Sequence, residues 1–139
     1  MASAVKPNRV QPKRVLIVDD VPYIRKLLRD FLEEAEFVVC GEAANGQAAI
    51  ERAADLKPDL VILDASMPVM TGIQAAPRLK KLLPATSIIL FTAHEFMMHG
   101  VNPLDLGVDA VVNKDRGMVA LGECLTSLRA ARQRKANPR

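Results

Sequence analysis

The sequence predicts an α/β fold, a parallel sheet with helices on both of its faces. Three observations carry that expectation. Residues 15–18, 60–63, 88–91 and 110–112 are continuously apolar, as strands buried on both faces are. A fifth run, 37–40, follows the first helical stretch. Segments of helical period separate the runs, and strict strand–helix alternation repeated five times builds a parallel sheet.

After the first strand, a helix is expected over about 22–34. It has Pro22 in its first turn and Ile24, Leu27, Leu28, Phe31 and Leu32 at helical spacing. The second helix, about 47–54, is opened by Asn45-Gly46 and closed before Pro58. The third, about 72–83, contains Pro77, which is expected to start, kink or split it. The fourth, about 95–106, contains Gly100 and Pro103 and reads as marginal, and the fifth runs over about 118–134. Right-handed crossovers leave few topologies for five such units, and the flavodoxin-like (βα)5 order 2-1-3-4-5 is the expected one. The organisation that follows is a flexible basic N-terminal tail at 1–13, one domain at 14–128, and a basic helix end or linker at 129–139.

The length of 139 residues and the 50% apolar content suit one domain with one core. The formal charge is +3, yet residues 1–14 hold four bases, residues 129–139 hold five, and neither segment holds an acid. Residues 15–128 hold ten bases against all 16 acids, so the body is acidic at −6 and the ends are basic. That distribution does not predict nucleic-acid binding by this chain alone, and one Tyr, four Phe and no Trp give no base-stacking platform. No apolar run approaches the roughly eighteen residues of a membrane span, and no signal peptide is visible, so no membrane partner and a cytoplasmic location are expected. Cys40 and Cys124 stand far apart in apolar surroundings and read as two buried thiols in a reducing compartment.

In open α/β sheets, ligands bind outside the carboxyl ends of the strands. Four strands here end in reactive groups: Asp19-Asp20 after the first, Asp64 after the third, Thr92-Ala93 after the fourth, and Asn113-Lys114 after the fifth. The second ends in Cys40-Gly41 and offers nothing, as an edge strand would. Three converging carboxylates repel one another unless a cation sits among them. Oxygen ligands without nearby His or Cys select magnesium, with manganese the alternative. A cation, Lys114 and the Thr92 hydroxyl around one carboxylate suit a bound phosphoryl group. Asp64, central among them, is the carboxylate placed to act as nucleophile.

These residues resemble the receiver domain of bacterial two-component response regulators, the CheY-like superfamily. The resemblance spans about 13–128. It rests on Val15-Leu-Ile-Val-Asp-Asp20, on Leu63-Asp-Ala-Ser-Met-Pro68 with Gly72, on Thr92-Ala93, and on Lys114, at separations of 44, 28 and 22 residues from Asp20 through Asp64 and Thr92 to Lys114. It implies that Asp64 accepts a phosphoryl group from a sensor histidine kinase or a histidine phosphotransfer protein. It implies magnesium held by Asp20 directly, by Asp19 mostly through water, by Asp64, and by the Ser66 backbone carbonyl. Lys114 would pair with the phosphoryl oxygens and Thr92 would hydrogen-bond one of them. That movement would shift the face of helix four, strand five and helix five between two states, for an output partner the residues do not name. Such receivers can dimerise on phosphorylation. The chain is expected to catalyse only its own phosphorylation and dephosphorylation and not to be an enzyme otherwise.

Departures from the family pattern bear on the switch. The family's usual aromatic residue three positions before the lysine is Val111 here, read as ordinary packing, or else as a coupling that is weaker or that uses Phe96 or Met97-Met98 instead. Lys114 is followed by Asp115, as in receivers joined to helix-turn-helix domains, and Asp115 also reads as an N-cap acid for the fifth helix. Ser66 and His94 occupy positions that tune phosphoryl lifetime in the family. His99 is expected at the surface, and Asp59 as a loop acid. After Leu128 eleven residues remain, too few for an output domain, so a stand-alone receiver and a truncated piece of a DNA-binding regulator read alike. A magnesium-dependent phosphatase with an aspartate nucleophile needs an acid two residues after that nucleophile, where Ser66 or Val21 stands. A flavin binder needs a phosphate loop where Asp19-Asp20-Val21-Pro22 stands.

Overall fold

The structure, a computed structural model, describes residues 13–93 and 100–136. Its elements are β1 (Arg14–Val18), α1 (Pro22–Glu34), β2 (Val38–Ala43), α2 (Gly46–Leu56), β3 (Leu60–Leu63), α3 (Gly72–Leu82), β4 (Ser87–Thr92), α4 (Pro103–Leu106), β5 (Ala110–Asn113) and α5 (Gly117–Ala136). A single 3-10 turn, Lys114–Arg116, joins β5 to α5. The strands form one parallel sheet in the order β2-β1-β3-β4-β5, the expected topology.

Side chains alternate across a strand, so the apolar runs divide between two half-cores. Leu16, Val18, Val61, Leu63, Ile88 and Leu90 face Ala49 and Ala53 of α2 and Ala75, Ala76 and Leu79 of α3. Val15, Ile17, Leu60, Ile62, Ile89 and Phe91 face Leu28 and Leu32 of α1 and Leu121 and Leu125 of α5. Full burial of such side chains contributes roughly 1.5–3 kcal/mol each, which is why continuous apolar runs form the sheet.

Helix ends follow local chemistry. Pro22 opens α1 at a position whose N–H has no helical acceptor. Asn45 caps α2 by accepting from the Ala48 N–H at 2.8 Å, and Lys57 closes it in the left-handed region at φ 49°. Thr71 and Gln74 form a reciprocal capping box on α3. Pro77 therefore neither starts nor splits that helix: it removes one backbone bond inside a segment already held by its cap and by buried Ala75, Ala76 and Leu79.

Other boundaries differ from the expected ones by one to three residues. β2 continues to Ala43 because it pairs with β1 as far as Val18. α2 begins at Gly46 and ends at Leu56, and α5 spans 117–136. Of the expected fourth helix, residues 95–99, with Phe96, Met97, Met98 and His99, lie outside the described residues, as do His94 and residues 1–12 of the basic tail. The described α4 is one turn, capped by the Asn102 side chain and closed by Gly107 at φ 76°. The two cysteines are free thiols but half-buried, not buried, because Cys40 lies on the edge strand and Cys124 on the flank of α5. No described helix is long and apolar enough to cross a membrane.

Candidate functional site

Because every strand is parallel, the chain leaves β1, β3, β4 and β5 on one edge of the sheet. Val18 lies beside Leu63 in register, so Asp19 and Asp64 follow on adjacent strands. Their backbones are tied to the neighbouring strands. The Asp19 N–H donates to the Ala43 carbonyl at 3.1 Å and the Asp64 N–H to the Val18 carbonyl at 2.9 Å. Carboxylate oxygens of Asp19, Asp20 and Asp64 lie within 4.8 Å of one another. Asp19 and Asp64 are buried, whereas Asp20 is exposed at the mouth.

Lys114, directly after β5, reaches into this cluster from the far strand. Its Nζ donates to Asp19 Oδ2 at 2.6 Å and lies 3.4 Å from Asp64 Oδ2. Asp19 Oδ1 accepts from the Val21 N–H at 2.9 Å, and Asp64 Oδ1 from the Ser66 N–H at 3.4 Å. Burial pushes the Asp64 carboxyl above the ordinary aspartate range. The Asp19 charge adds to that rise, while Lys114 and the Ser66 N–H oppose it. The lysine opposes the rise without cancelling it, because burial is the larger effect, and a divalent cation among the three acids would favour the ionised form further. The donor set is all oxygen, which suits magnesium or manganese, and Asp20 is the one of the three acids open to solvent. Thr92 is fully buried at the end of β4.

The loop that carries Ser66 is packed too tightly for side chains at two glycines. A Cβ on Gly72 would stand 1.9 Å from the Asp64 carbonyl oxygen, and one on Gly46 2.7 Å from the Met70 carbonyl oxygen. The Gly72 and Gly46 N–H groups instead donate to Ala65 and Met70. Val111 is 41% exposed on β5, pointing away from the core, so it does not pack the strand as expected. Asp115 does not cap α5; it lies in the 3-10 turn, where the Asn113 side chain accepts from its N–H. Asp59 is a loop acid that ties its loop to β1, since its Oδ2 accepts from the Arg14 N–H at 2.9 Å.

One part of the site is not expected from the sequence. Strand two does offer a group, Glu42, once its true end at Ala43 is known. Glu42 Oε1 accepts from Arg25 Nε at 2.9 Å, and Oε2 from Arg29 Nε and Nη2 at 2.9 and 2.7 Å. The other end of Arg25, Nη1, donates to the Asp19 backbone carbonyl at 2.7 Å. A sequence signal for it exists: Arg25 and Arg29 are one turn apart, and a cation near a helix N-terminus opposes the helix dipole unless an acid holds it.

Comparison with known proteins follows the same lines. Residues 15–126 match the family described as response regulator receiver domain. The chain is 46% identical over 81 residues to the chemotaxis protein CheY of Thermotoga maritima, covering 58% of this chain and 68% of that one. Its fold is similar to the CheY-like receiver domain protein of Methanospirillum hungatei, with a TM-score of 0.81 at 25% identity over 89% of this chain and 98% of the other. It is also similar to the response regulator TrrA of Thermotoga maritima, solved in complex with Mg(2+)-BeF. There the TM-score is 0.73 at 33% identity, over 84% of this chain and 98% of the other.

Proposed function

This chain belongs to the response regulator receiver family, and from that premise we propose that Asp64 is its phosphoacceptor, served by magnesium at Asp19, Asp20, Asp64 and the Ser66 carbonyl. The observation that carries the reading is the placement of Asp64, buried, 3.4 Å from Lys114 and within 4.8 Å of two further carboxylates. Receiver domains hold magnesium at a cluster of acidic residues, and this chain has such a cluster.

The chemistry is one in-line transfer. A carboxylate oxygen of Asp64 forms a bond to phosphorus as the bond from phosphorus to the donor breaks; the donor nitrogen or oxygen leaves with the electron pair. Bound magnesium would neutralise the phosphoryl oxygens and the carboxylates together. Lys114 sits where it can exchange its bond to Asp19 for one to the incoming oxygens. Thr92, on the neighbouring strand end, supplies a hydroxyl to another. Burial of Asp19 and Asp64 keeps bulk water from both carboxylates, so the group transferred is held on the chain and read as a state. The donor is a histidine kinase or a histidine phosphotransfer protein in the cytoplasm. The partner on the output side meets the face that includes exposed Val111 and Val119. Residues 14–128 act as the receiver unit.

Intact-mass measurement after incubation with magnesium and acetyl phosphate tests the assignment. One phosphoryl adduct on the parent and none on Asp64→Asn is the expected result. An adduct that persists in Asp64→Asn overturns the assignment of Asp64, and a parent without an adduct while binding magnesium overturns phosphoacceptance itself.

A further inference from the structure

Asp19 is held at every polar atom it owns. Its N–H goes to Ala43, its carboxylate to Val21 and Lys114, and its carbonyl to Arg25. The carbonyl bond matters most for Asp20. A peptide unit is planar, so fixing the Asp19 oxygen fixes the Asp20 N–H and with it the direction in which Asp20 leaves the backbone. Asp20 itself is exposed. Its aim at the cation position therefore depends on the peptide before it.

Arg25 can hold that peptide only because its charge is cancelled. A bare guanidinium beside the site would repel an entering divalent cation. Glu42 meets Arg25 at 2.9 Å with both side chains largely out of solvent, 20% and 31% exposed. Burial alone would push the Glu42 carboxyl up, but the hydrogen bonds from Arg29 and Arg25 outweigh it and hold it below the ordinary range, so it stays ionised. Arg29 grips the other oxygen of the same carboxylate. We propose that Arg25 is a positioning residue for the cation site, orienting Asp20 through the Asp19 carbonyl, and that Glu42 on β2 neutralises it so that it does not compete with the cation. The inference rests on the magnesium reading above and adds to it two residues that would act on the cation site without themselves coordinating the cation.

Calorimetric titration of the full chain with magnesium alone, with no phosphodonor, separates this from a plain helix-to-strand brace. Arg25→Gln should weaken magnesium binding about tenfold, the usual cost of losing a partner that orients a metal ligand. Arg29→Gln removes an equal charge from the same carboxylate but touches nothing at Asp19, and should bind magnesium within about twofold of the parent. Glu42→Gln should weaken binding by a similar tenfold through uncompensated positive charge, and that loss should shrink as salt rises from about 0.05 M to about 0.5 M. Arg25→Lys keeps a donor and a charge and should fall between parent and Arg25→Gln. Parent-like binding by both Arg25 variants overturns the inference, and so does an equal loss in Arg29→Gln. A parent that binds no magnesium overturns the reading of the acidic site itself, which the variants alone cannot do.

Discussion

A carboxylate buried beside another carboxylate is a cost the fold carries for the chemistry it performs, and Asp64 shows the sign of that cost. Burial and Asp19 raise its carboxyl above the ordinary aspartate range, so the folded chain binds that proton more readily than the unfolded chain. The unfolded chain releases it first as pH rises, so Asp64 lowers stability progressively from about pH 4 upward until the folded carboxyl has also ionised. In metal-free buffer, Asp64→Asn should therefore have a higher urea midpoint than the parent at neutral pH, with the gap closing toward about pH 4. A variant less stable than the parent at neutral pH would show that Lys114 more than offsets the buried charge. Gly72 makes the opposite case, because its missing side chain is occupied space. A methyl group there meets the Asp64 carbonyl at 1.9 Å, and that atom is backbone and cannot swing aside. Gly72→Ala should cost roughly 2–4 kcal/mol in urea unfolding. It should also cut the rate of adduct formation with acetyl phosphate well over tenfold, since relieving the contact displaces Asp64. An alanine variant with parent-like rates would mean the loop has room to give.

At the scale of elements, α3 shows what local chemistry can override. Its interior proline would break an uncapped helix, yet the Thr71–Gln74 capping box and a buried alanine face hold all eleven residues. Thr71→Ala removes the bond to the Gln74 N–H at 3.1 Å and should cost about 1 kcal/mol by urea unfolding. A negligible change would assign the helix's persistence to packing alone. Other elements mark the limits of reading from sequence. Apolar runs tell where the strands are, since a strand buried on both faces leaves no alternative place for Val15–Val18 or Leu60–Leu63, and α1 is legible to its last residue. Ends set by tertiary pairing are not: β2 runs past Gly41 because β1 is there to pair with, a fact no local window holds. For the same reason Glu42 is invisible to a local reading. Its partners Arg25 and Arg29 lie 17 and 13 residues away on a different element, and only the sheet order brings them together. The acids at strand ends are legible because strand ends of a parallel sheet share one edge. Which acid Lys114 contacts more closely, Asp19 at 2.6 Å over Asp64 at 3.4 Å, depends on side-chain geometry that spacing does not encode.

For the whole molecule, the arrangement divides labour between a rigid sheet and a charged rim. Two half-cores of β-branched and leucine side chains fix strand ends to one another, and the repulsive acids stand on those ends instead of on mobile loops. A cation that binds the folded rim and not the unfolded chain must therefore stabilise the entire domain by mass action. At a magnesium concentration about a hundred times its dissociation constant, that linkage is worth about 2.7 kcal/mol. For a domain of this size it should raise the melting midpoint by roughly 5–10 °C. Asp20 allows a clean control because it is exposed and carries no part of the core. Asp20→Asn should melt at the parent's temperature in chelator and show little or no rise with magnesium. A magnesium-dependent rise in both proteins would place the cation elsewhere on the acidic body. A rise in neither would mean that Lys114 alone balances the cluster, and the half-buried lysine, not a metal, would then be the positive charge around which this edge of the sheet is built.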